Sequence, residues 1–88
     1  MICYFHSPKG ALCLKQMNYL VQNPQLGTLV NQAVLTYVDI IQSSQLSQQL
    51  GIFRAPAWIF YNRDGTVAQT YYQALTIDQI RSAAQNLR

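Results

Sequence analysis

The chain has 88 residues, a formal charge of +3, hydrophobic side chains at 50% of its positions and charged ones at only 10%. That is enough chain for a single domain over 1–88, and enough apolar material for one core. No apolar run approaches the ~18 residues of a membrane span. The scattered Lys and Arg make no basic, aromatic-interleaved surface for nucleic acid, and one His among few acids makes no metal cluster.

Residues 2–5, ICYF, read as a short strand ended by Ser7-Pro8 and Gly10. The opening MICYFHSPKG lacks the basic n-region and long h-region of a signal peptide. A cytoplasmic protein is the default expectation, and an exported one if a leader has been removed. In ALCLKQMNYLVQN, Cys13, Met17, Leu20 and Val21 fall on one helical stripe, so periodicity turns Cys13 inward. Asn23-Pro24 ends this helix, or kinks it and starts another on which Leu26, Leu29 and Val30 continue an apolar face. AVLTYVDII (33–41) is β-branched and apolar, which predicts a strand buried on both faces. SSQLSQQLG predicts a short serine-capped helix with Leu46 and Leu50 on one face and Gly51 just past its end.

AWIFY (57–61) is the next strand, NRDG (62–65) a tight turn, and TVAQTYYQ (66–73) an alternating edge strand that pairs back. The aromatics Trp58, Phe60, Tyr61, Tyr71 and Tyr72 stand at strand spacing, with one of the last two facing out. Thr76 and Gln79 have capping-box spacing, and Ile77, Ile80, Ala83, Ala84 and Leu87 form one helix face. The segment between the first two strands is long enough for a parallel, right-handed crossover. The expected fold is α/β, in the order βαβαββα, with a four-stranded mixed sheet and helices on both faces.

That order, together with QLGIFRAPAWIFYNRDGTV, resembles the thioredoxin superfamily. Gly51-Ile52, Ala55-Pro56, the strand at 57–61 and Gly65 match the family pattern in order and spacing. VLTYVDI resembles its central strand, and YFHSPKGALCLKQM its active-site segment. The resemblance implies a thioredoxin-like domain without the first β-α unit of full-length thioredoxins. It also implies a cis Ala55–Pro56 bond, exposing the Ala55 backbone for strand addition by a protein or peptide partner. Without the resemblance, Pro56 reads as a trans loop proline before a strand.

Matching Phe5 and Cys13 to the family segment puts Gly10 at the first cysteine of C-x-x-C and Cys13 at the second. The family's first thiol, activated at a helix N-terminus, attacks a disulfide and its second resolves the mixed disulfide. Gly10 cannot attack. Tyr4 stands where many members carry a buried acid. Dithiol exchange is therefore expected to be impaired. Cys13 reads either as a small buried hydrophobe or as a single catalytic or sensing thiol, with glutathione as a partner in the second case. Cys3, mid-strand, is not expected to bridge to it.

His6 is expected to be a solvated loop histidine rather than a base. Lys9, Gly10, Arg54, Ala55 and Pro56 outline a binding groove; Lys9 and Arg54 read as independent surface cations or as a pair that holds an anion. No cofactor or metal is expected. The first functional expectation is a redox-impaired module that binds proteins through the groove. The others are a single-cysteine oxidoreductase or redox sensor, and a structural domain of a larger assembly.

Overall fold

Strand β1 (Ile2–His6) is buried along its whole length, as an inner strand of apolar residues must be. It pairs in parallel with β2 (Leu35–Asp39), from Ile2 opposite Leu35 to His6 opposite Asp39. On its other side it runs antiparallel to β3 (Ala57–Tyr61), from Ile2 opposite Phe60 to Phe5 opposite Ala57. β4 (Val67–Tyr71) folds back on β3, with a bulge at Phe60/Tyr61, and completes a mixed sheet of order β2-β1-β3-β4. This computed structural model describes the backbone of residues 1–88 and every side chain except those of Val30 and Gln32.

The β3–β4 turn closes as its sequence demands. Gly65 takes φ +89°, a region closed to most side chains. Asp64 accepts from the Thr66 N–H at 3.0 Å and the Thr66 hydroxyl at 2.6 Å. These bonds hold the Asp64 carboxyl below its ordinary range.

Helices α1 (Ala11–Gln22), α2 (Leu26–Gln32), α3 (Ser44–Gln49) and α4 (Ile77–Gln85) complete the chain. Because strand side chains alternate, the sheet has two distinct faces. On one, Ile2, Tyr4, Trp58 and Phe60 meet Leu20 of α1, Leu29 of α2, and Ile77, Ile80 and Ala83 of α4. On the other, Cys3, Phe5, Val38, Ala57 and Ile59 gather around Ile52. There α3 flanks the sheet, leaving an open hollow of about 580 Å³ between Cys3, Thr36 and Val38 and its Leu46 and Leu50. The fold is α/β with helices on both faces. α4 begins in a complete capping box: the Thr76 hydroxyl accepts from the Gln79 N–H, and the Gln79 side chain from the Thr76 N–H.

Three expectations are corrected. The strand at 33–41 is shorter and is not buried on both faces: β2 is an edge strand, with Tyr37 half exposed and Val34, beside it, more so. Asn23-Pro24 does start a second helix, the Asn23 side chain accepting from the Gln25 N–H at 2.9 Å, but Val21 drops off the inward stripe into solvent. The Val30 side chain lies outside the described residues. Ser43 makes no side-chain cap; the Asp39 carboxylate instead accepts from the N–H groups of Ile41 and Gln42. Leu46 and Leu50 do share a face, both lining the hollow, and stay partly exposed because α3 has under two turns with which to reach the sheet.

Candidate functional site

The register of β1 on β3 fixes where the candidate groups meet. Phe5 opposite Ala57 is the last pair, so the 7–10 loop leaving β1 and the 53–56 loop entering β3 lie at the same end of the sheet. Tyr72 follows β4 there, since Tyr71 is opposite Trp58. The Ala55–Pro56 peptide is cis. Pro56 is buried and Ala55 half-buried. Among the described residues, the backbone of Phe53, Arg54 and Ala55 makes no backbone–backbone hydrogen bond outside the sheet ladder.

Gly10 is the N-cap of α1, with extended backbone, no side-chain cap and no acid in the first turn. Its own N–H donates to the Ser7 carbonyl at 3.1 Å. One turn in, Cys13 is fully buried at 0% exposure. A Cβ on Gly10 would stand 3.2 Å from the Cys13 Sγ. Cys3 lies on the opposite sheet face, so the sheet separates the two thiols, and both are free. Burial pushes the Cys3 thiol above its ordinary range, against a smaller opposing pull from the N-terminal ammonium.

Tyr4 lies beneath α1. Its hydroxyl is 3.4 Å from the Cys13 carbonyl, to which it can donate, and 3.1 Å from Nδ1 of His6. Burial, reinforced by the neighbouring Cys13 and Tyr37, raises the Tyr4 pKa well above the ordinary tyrosine value. His6 is therefore not a solvated loop histidine. It is the last residue of β1, 5% exposed, with its ring centroid 5.3 Å from that of Tyr37. The alternation of Ile2 and Tyr4 carries it onto the α1 face, and that was the signal available in the sequence.

Two further residues brace this end and had no signal in the sequence. The buried Gln16 amide accepts from the Leu75 N–H at 2.6 Å and donates to the Leu75 carbonyl at 3.0 Å, clipping α1 to the loop before α4. The Tyr19 hydroxyl accepts from the Ile77 N–H. In the 53–56 loop, the Arg54 guanidinium lies over the Tyr72 ring, 4.8 Å from its centroid, and Lys9 is exposed on the 7–10 loop.

This architecture is similar to those of solved structures. It matches the C-terminal domain of DsbD from Neisseria meningitidis in its oxidised form with a TM-score of 0.76, at 18% identity over 98% of this chain and 78% of that one. It matches a thioredoxin from Thermus thermophilus with a TM-score of 0.74, at 14% identity over 96% of this chain and 69% of that one. The protein has a thioredoxin fold. A Malassezia sympodialis thioredoxin is similar at a TM-score of 0.72 and 18% identity, over 96% of this chain and 71% of that one. No family model and no curated protein matches the sequence. The chain thus carries a short form of the thioredoxin fold, with Gly10, Cys13 and the Arg54–Pro56 loop at one end of its sheet.

Proposed function

We propose that this thioredoxin-fold domain has lost dithiol exchange and binds an extended segment of a protein partner between residues 6–13 and the Arg54–Pro56 loop. The observation that carries the reading is the pairing of Gly10 with Cys13. Gly10 takes the helix N-terminal position at which unpaired N–H groups would stabilise a thiolate, and it offers no side chain. Cys13 lies beneath it with no exposed surface. A nucleophile that must meet a substrate disulfide sulfur has to be reachable, so neither position supports attack.

The recognition half of the reading rests on the loop opposite. The Phe53–Ala55 backbone is available to an incoming strand, the interaction that strand addition requires. A single-thiol role for Cys13, with glutathione as partner, needs the same access that burial denies it.

The test is insulin reduction by dithiothreitol. The wild-type protein is expected to add nothing to the uncatalysed rate, whereas Gly10→Cys is expected to accelerate it. The 3.2 Å between a Cβ at Gly10 and the Cys13 Sγ is close to the roughly 3 Å that ordinary S–S geometry imposes. Wild-type turnover that Cys13→Ser abolishes would overturn the proposal.

A further inference from the structure

Resting on that groove reading, we propose that the groove selects acidic partners: extended segments that set at least one carboxylate beside apolar side chains. Three observations converge on this occupant. Each loop of the proposed groove carries an exposed cation, Lys9 on one and Arg54 on the other. Among the described residues the one ion pair is Arg81–Asp78 on α4, so neither Lys9 nor Arg54 has a carboxylate partner within the chain. Arg54 is instead held over Tyr72, which fixes its guanidinium while leaving its edge N–H donors for a planar anion.

The chain's three acids do not compete for these cations. Asp64 sits in the β3–β4 turn at the far end of the sheet and is bonded to Thr66. Asp78 pairs with Arg81. Asp39, opposite His6 at the same end of the sheet, accepts from the N–H groups of Ile41 and Gln42 and forms no ion pair with Lys9 or Arg54.

The apolar part of the occupant follows from the same rim. Phe53 is 75% exposed next to Arg54, Leu12 is 53% exposed on the first turn of α1, and Tyr72 is 44% exposed. Phe53 and Tyr72 flank Arg54, one as its chain neighbour and one beneath its guanidinium, so apolar surface stands directly beside this cation. The α1 N-terminus adds its unpaired N–H groups and favourable dipole end on the Lys9 side. The alternation of an extended chain places a carboxylate and an apolar side chain on opposite flanks of such a groove.

The experiment is selection of a random dodecapeptide display library on the immobilised full chain, against the Lys9→Gln/Arg54→Gln double variant. Enrichment of Asp and Glu beside aliphatic or aromatic residues is expected on the wild type, with that bias lost on the variant. The selected peptide, synthesised and measured by fluorescence anisotropy, is expected to bind the double variant about fivefold more weakly. Its affinity for the wild type is expected to fall as salt rises. Selection of peptides with no acidic bias, or equal affinity for wild type and variant, would overturn the proposed selectivity while leaving groove binding intact. Enrichment of no peptide at all would overturn groove binding and the selectivity with it.

Discussion

At the scale of single residues, the Tyr4 hydroxyl joins three features of the site: the buried His6 ring, the Cys13 carbonyl and the underside of α1. Tyr4→Phe removes that group and leaves Nδ1 of His6 without its partner, at an expected cost of about 1 kcal/mol in chemical denaturation. Its effect on pH dependence is more specific. Tyr4 ionises less readily in the folded chain than in the unfolded one, mainly because it is buried. Below the ordinary tyrosine pKa of about 10 both states keep the proton, and the group adds no slope. Above it the unfolded chain releases the proton while the folded chain holds it, so stability falls as pH rises. Tyr37, Tyr61 and Cys3 shift in the same direction, burial being the largest cause for each. Urea titrations from pH 8 to 11 are expected to show falling stability, and Tyr4→Phe to flatten part of the fall. A variant with an unchanged slope would contradict this assignment.

At the scale of elements, α4 is positioned by two devices that differ in how visible they are in sequence. The capping box follows from the spacing of Thr76 and Gln79, and Thr76→Ala is expected to cost about 1 kcal/mol. The Gln16 clip joins residues far apart in the chain, and a lone glutamine on a helix carries no pattern that announces it. Gln16→Ala strands the buried N–H and carbonyl of Leu75 and is expected to cost more, about 2 kcal/mol by thermal or urea unfolding. Elements were legible where local chemistry decides them: the Asp64-Gly65 turn, the Ala57–Tyr61 strand and the amphipathic α4. Burial was misjudged where it depends on the neighbour an element finds. The apolar β2 sequence suits an inner strand, yet among the described residues its outer edge has no partner, and His6 reads as a loop residue because the strand continues one residue past its apolar run.

At the scale of the whole molecule, the core is unevenly divided. α1, α2 and α4 cover one sheet face, while short α3 leaves a hollow over the other. Ile80→Ala, on the covered face, is expected to cost about 3 kcal/mol, and Leu46→Ala, at the hollow, under about 1 kcal/mol. Equal losses would contradict the division. The proposed groove belongs to this whole-molecule scale too: its two loops are distant in sequence, and the β1–β3 register brings them to one end of the sheet. The sequence therefore supplied its residues through resemblance to a known pattern and turned Cys13 inward through its helical stripe, while the close approach of Cys13 to Gly10 needed the folded chain. The shielding of Cys13 is the central claim, and iodoacetamide labelling of the native protein, read by mass spectrometry, tests it most directly. Cys13 is expected to stay unmodified until denaturant unfolds the chain. Labelling of Cys13 in the native state at the rate of an unfolded thiol would contradict the account and favour single-thiol chemistry instead.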